Sequence, residues 1–128
     1  MQKENMKTRP NKYNAKKTVV DGITFDSKKE AKRYQELKLL ERAGEIDNLE
    51  LQPVYQLTVA SMNSDQFSTV GKYIADFRYS KMDYGIKYPG LDRCIIKVVE
   101  DVKGVKTPLY RLKKKLMKAI YGIDILET

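Results

Sequence analysis

The sequence predicts a single α/β domain built around one mixed sheet. Three observations lead there: two segments with helical periodicity carry their own start and stop signals, short β-forming runs precede, separate and follow them, and no internal repeat divides the 128 residues. A chain of this length can bury a substantial core as one domain. Strands interleaved with helices define the class.

The first 17 residues, MQKENMKTRPNKYNAKK, are polar and basic and are read as a flexible arm, with the domain occupying 18–128. TVVDGITF then places β-formers on either side of Asp21 and Gly22, the pair favoured in a two-residue type I′ turn, so 18–20 and 23–25 should form a hairpin. In DSKKEAKRYQELKLLERAG, Ser27 and Glu30 fit a capping box and Gly44 a left-handed stop, with Ala31, Tyr34, Leu37 and Leu40 at helical spacing between them. LELQPVYQLTV reads as a strand or a bent pair, because Pro53 cannot donate within a central ladder. Residues 60–71 read as a polar connection, 72–80 as one strand and 81–92 as a second loop. CIIKVVEDVKG is the most apolar run and suits the middle of a sheet. Thr107 as N-cap and Pro108 as first helical residue open the second helix, which should stop before Gly122, and 123–126 is a last short strand.

Composition removes several kinds of chemistry. With no histidine, His-based bases, His-activated nucleophiles and the usual zinc sets are out of reach, and a metal would have to be a hard cation on carboxylates, Mg²⁺ or Mn²⁺ before zinc. The single Cys94 reads as a small core residue in a reducing compartment, pointing to a cytoplasmic protein. No apolar run approaches the roughly 18 residues of a membrane span, and the basic start has no signal-peptide core.

Five charged residues stand where charge has little structural use. Asp101 and Lys103, two apart at the end of an apolar strand, point to one face while Glu100 points to the other. A carboxylate and an ammonium on one face can hold a divalent cation and orient water or offset phosphate charge; they can equally be a solvated strand end. Asp76 lies among Tyr73, Ile74, Ala75, Phe77 and Tyr79, where an unpaired carboxylate costs on the order of 2–7 kcal/mol, so it needs a cation, a sheet opening or a partner such as Arg78 or Lys103. Glu30 lies about 40° from Tyr34 and about 20° from Leu37 on the helical wheel, within the apolar stripe. It can serve the capping box, reach a metal ligand, or do both.

The net charge is +8, and its placement suggests a polyanionic partner. Residues 1–17 carry six Lys or Arg against one acid, including Lys12, Lys16 and Lys17, and residues 102–123 carry seven against none. On the second helix, Leu112, Leu116 and Ile120 fall within about 60° of Leu109 as the expected core stripe, with Arg111, Lys114, Lys115 and Lys118 within an arc of about 100° opposite. Such an arc is either a solvated face or a surface for phosphate backbones. Tyr13, Tyr84, Tyr88 and Tyr110 sit in polar or basic contexts from which bases could be stacked.

Helical Glu30, strand Asp76, the Asp101, Val102, Lys103 tripeptide, a basic helix and a short strand, in that order, resemble the PD-(D/E)XK nuclease superfamily over residues 27–126. YIADF with VVEDVKG is similar to small phage-encoded, Holliday junction resolvase-like endonucleases, and the step at Leu51, Gln52 and Pro53 resembles a recurring feature of such nucleases. The resemblance implies a restriction-endonuclease-like α-β-β-β-α-β core behind the N-terminal hairpin. It makes Asp76 the acid of the "PD" half, Asp101 and Lys103 the acid and lysine of the other half, and Glu30 the helical acid. Ala75 stands where the motif has proline, and the second acid is Asp where Glu is commoner. A one-residue bulge would exchange Asp101 for Glu100. The implied protein is a Mg²⁺- or Mn²⁺-dependent DNA endonuclease, with Asp76, Asp101 and Glu30 around the metal and Lys103 on the attacking water. It would act on branched DNA in phage recombination or packaging, as a homodimer in the host cytoplasm. A non-catalytic DNA-binding adaptor on the same fold and an RNA-processing nuclease are the alternatives.

Overall fold

The computed structural model describes residues 16–83 and 94–128. Strands β1 (Thr18–Val20) and β2 (Ile23–Phe25) pair antiparallel. Asp21 and Gly22 between them both have positive φ, 51° and 75°, as a type I′ turn requires. Helix α1 (Lys28–Arg42) starts where Ser27 Oγ accepts from Glu30 N at 3.1 Å, and the chain leaves it through Gly44 at φ 78°. The serine half of the capping box forms through this bond, while the Asp26 backbone N–H favours the charged form of the Glu30 carboxylate.

Five strands then follow where three were expected. β3 (Ile46–Leu51) ends at Gln52, whose positive φ of 49° turns the chain into Pro53 and then β4 (Val54–Ala60). β5 (Phe67–Ile74) pairs along the whole of β4, so 67–71 is strand and not the polar connection the sequence suggests. The Thr58 and Thr69 hydroxyls meet at 3.0 Å across this ladder, and cross-strand Thr pairs are one reason a polar run can be β-structure. The predicted single strand over 72–80 is broken at Ala75 and Asp76, and β6 (Phe77–Asp83) continues past the expected loop boundary. β7 (Cys94–Asp101) begins with a half-buried Cys94, a strand end where a core residue was expected. Helix α2 (Pro108–Tyr121) has Thr107 as N-cap and ends at Gly122 with φ 68°. β8 (Leu126–Glu127) closes the chain slightly later than predicted.

Four strands make the main sheet in the order β3, β6, β7, β8: β6 is antiparallel to both β3 and β7, and β8 is parallel to β7. The apolar β7 is thus internal, as its composition predicts. The β4–β5 ladder is a separate two-stranded sheet inserted between β3 and β6. One core cluster joins α1 and β2 to Phe77 and Tyr79. The other joins α2 and the inserted hairpin to Ala75 and Val99. The molecule is one mixed α/β domain, and no described helix is long and apolar enough to cross a membrane.

Helix α2 is rotated from its expected setting. Tyr110 and Met117 are buried, whereas Leu109 and Leu112 are 60% and 54% exposed. The larger side chains take the core: Tyr110 packs near Tyr73, with ring centroids 6.5 Å apart, and Met117 is fully enclosed. Leu116 and Ile120 of the expected stripe pack, partly buried, against the same core, so the buried face is shifted toward Tyr110 and Met117 and away from Leu109 and Leu112. In α1 the stripe stops at Leu37, since Leu40 is exposed.

Candidate functional site

Where β3 turns at Gln52 and the strand breaks at Ala75 and Asp76, backbone bonds tie the irregular segments together. Gln52 N donates to Asp76 O at 3.0 Å, Ala75 N to Pro53 O at 3.2 Å, and Asp76 N to Glu100 O at 3.1 Å. Asp76 is therefore a junction residue fixed beside the end of β7. Its carboxylate Oδ2 accepts from Val102 N at 2.7 Å.

At that end of β7 the two neighbouring acids part company. Glu100 is fully buried on the α1 side, where its oxygens accept from Arg33 Nε, from Arg33 Nη2 at 3.1 Å, from Tyr79 OH at 2.8 Å and from Thr128 Oγ1 at 3.0 Å. Its hydrogen-bonding capacity is spent on structure. Asp101, only 2% exposed, faces the other way: it accepts from the Tyr73 hydroxyl and forms an ion pair with Lys103 Nζ at 3.1 Å. Lys103 is also held over the Tyr110 ring, 4.3 Å from its centroid. The Lys103 backbone N–H donates to Thr128 O at 3.1 Å, and its carbonyl accepts from Lys29 Nζ at 3.3 Å.

Asp76 lies in hydrogen-bonding contact with Asp101. Burial first, then this shared bond and the charges of Asp101 and Glu30, push the Asp76 carboxyl up to about 8, against a smaller opposing effect of the Val102 N–H. Asp76 therefore stays protonated at neutrality beside Asp101, which carries its own ion pair with Lys103. Glu30, itself buried, is raised by burial and by the charges of Asp26 and Asp101, with the Asp26 N–H and Lys103 opposing. Burial and the Asp101 hydrogen bond likewise raise the Tyr73 hydroxyl well above the ordinary tyrosine range, keeping it a donor.

All four sequence candidates thus fall within one electrostatically coupled site. Their donor chemistry, oxygen only with a proton that a cation would displace, fits Mg²⁺ or Mn²⁺ in kind. The three-carboxylate ligand set expected from Asp76, Asp101 and Glu30 is not gathered, however: among the described residues no group of three or more His, Cys, Asp or Glu stands together as a metal-binding group. Asp76 and Asp101 form the contacting pair, and Glu30 acts on them through its charge.

The basic candidates divide. Lys114 pairs with Glu127, and Lys118 with Asp124 at 2.7 Å, so acids beyond the helix neutralise half of the arc. Arg111 and Lys115 are exposed and have no ion-pair partner among the described residues; Lys16 and Lys17 are exposed too. Lys12, Tyr13, Tyr84 and Tyr88 lie outside the described residues, and Tyr110 is buried and not available for stacking. The sequence reading missed Arg33, Tyr73 and Tyr79, which hold the two acids. Arg33 lies three positions after Glu30 on α1, a spacing that puts both on one side of the helix. It also missed two hollows beside the site, one bordered by Lys29, Lys32 and Arg33, the other by Lys72, Lys103 and Lys113.

Fold and site together define a small α/β domain with a buried carboxylate pair and a lysine at one end of its sheet. Residues 10–125 match a family model described as protein of unknown function, DUF1064, and the chain belongs to that family. Comparison with curated proteins and with solved structures gives no match.

Proposed function

We propose that this protein is a Mg²⁺- or Mn²⁺-dependent DNA endonuclease of the PD-(D/E)XK kind. The observation that carries the reading is the meeting of Asp76, Asp101 and Lys103 at one sheet end, with Asp76 at a strand break and Asp101 paired to Lys103. Leaving out the inserted hairpin, the sequence of α1, β3, β6, β7, α2 and β8 supports an α-β-β-β-α-β core.

In this reading Asp76 and Asp101 hold the cation and Glu30 adds negative charge behind them. A bound cation would offset charge on the phosphodiester and make its water more acidic. Tyr73 fixes the Asp101 carboxylate, and Lys103, already anchored by Asp101 and Tyr110, presents its ammonium to the attacking water and the phosphate. Arg111, Lys115, Lys16 and Lys17 would contact the backbone. A branched DNA in phage recombination or packaging is the substrate proposed, with a homodimer cutting its two strands in the host cytoplasm.

Flap, four-way-junction and duplex DNA incubated with Mg²⁺ or Mn²⁺ should be nicked, and Asp101→Ala or Lys103→Ala should lower the rate by roughly 10²-fold or more. The other reading is a non-catalytic DNA-binding adaptor, favoured by one observation: Tyr73 and Lys103 already occupy both Asp101 oxygens. Tight binding of these DNAs by the wild type with no cutting in either metal would select it.

A further inference from the structure

We propose that the hollow between β5 and the start of α2 is a subsite for an unpaired nucleotide, in which Lys72 and Lys113 hold the phosphate next to the one that is cut. This rests on the nuclease reading of the adjacent acids. The hollow has a volume of about 290 Å³, and its wall is shared with the site: Tyr73, whose hydroxyl holds Asp101, and Lys103, which pairs with Asp101, both line it. A group bound there lies one residue's reach from the carboxylate pair.

Its charge is uncommitted. Lys106, Lys114 and Lys118 have Glu127 or Asp124 as partners, whereas Lys72 and Lys113 have no ion-pair partner among the described residues. Lys103, whose charge is already paired with Asp101, completes this side of the wall, and no acid lines the hollow. Two unpaired cations on one concavity repel one another unless an anion sits between them. The remaining wall is apolar: Ile74 and Leu109 are 46% and 60% exposed there. In a paired duplex the bases are stacked away and the backbone offers these two side chains little. An unpaired nucleotide offers phosphate to the lysines and the faces of its sugar and base to Ile74 and Leu109. The combination therefore suits a flap or an opened branch point better than continuous duplex.

The test is equilibrium binding of a single-stranded and a duplex oligodeoxynucleotide, without divalent cation so that nothing is cut, over a series of salt concentrations. Lys72→Gln with Lys113→Gln should weaken single-strand binding by roughly tenfold and lower the salt slope by about 1.4, two contacts at about 0.7 each. Lys81→Gln with Lys97→Gln removes the same charge from the middle of the β6–β7 ladder, where Ser80 pairs with Lys97 outside the lining of the hollow, and should leave that slope unchanged. Ile74→Ala with Leu109→Ala should narrow the preference for single strand over duplex. An unchanged slope in the Lys72, Lys113 variant of a wild type that binds and cuts DNA overturns the subsite and leaves the nuclease reading standing. A wild type that binds neither oligonucleotide overturns both.

Discussion

Glu100 and Asp101 are adjacent in the chain, yet strand alternation sends them to opposite faces and to different work. Buried Glu100 has four donors around it, and its ion pair with Arg33 should behave as buried pairs do: costly to break from one side. Arg33→Ala should therefore cost about 3 kcal/mol of stability, read as a lower denaturation midpoint at an unchanged slope. A variant as stable as wild type would mean that Glu100 is held by Tyr79 and Thr128 alone. The same alternation is what made the pairing of Asp101 with Lys103 legible from sequence, whereas Arg33 was not. Its partner lies 67 residues away, and nothing local distinguishes a helix arginine that reaches a strand from one that reaches solvent.

Among the elements, those governed by local backbone chemistry were readable. The Asp21 and Gly22 turn, the Ser27 and Thr107 caps and the Gly44 and Gly122 stops all depend on residues within a few positions of each other. The β4–β5 ladder was half hidden because its second strand is mostly exposed, leaving no apolar alternation to read. The break at Ala75 was hidden for a different reason: its cause is a long-range bond, Ala75 N to Pro53 O at 3.2 Å. Proline at this position could not make that bond, since it has no N–H to give. Ala75→Pro should lose about 1–2 kcal/mol in urea unfolding. A gain in stability, the usual effect of proline on the unfolded chain, would show that the Pro53 bond contributes nothing.

For the whole molecule, the coupled acids set a pH dependence of unusual sign. The Asp76 carboxyl, raised to about 8 by burial and by Asp101, stays protonated in the fold through neutrality, while in the unfolded chain it ionises near 4. Over that interval the folded state binds more protons than the unfolded one, so stability falls as pH rises. Glu30, raised by burial and by Asp26, acts in the same direction. Glu41 and Glu127, lowered by Lys38 and Lys114 respectively, act oppositely, but only below about pH 4.5, where ordinary glutamates titrate. The metal-free protein should accordingly be more stable at pH 5 than at pH 8.5, as measured by urea midpoints across that range. Asp76→Asn should flatten most of the slope. If the proposed metal site is right, Mg²⁺ or Mn²⁺ should flatten it too, raising the midpoint at pH 8.5 more than at pH 5, because a cation held by Asp76 and Asp101 would displace the Asp76 proton. A wild type whose midpoint is level, or rises, from pH 5 to 8.5 without metal would show that Asp76 is ionised in the fold and that its burial beside Asp101 does not hold its proton.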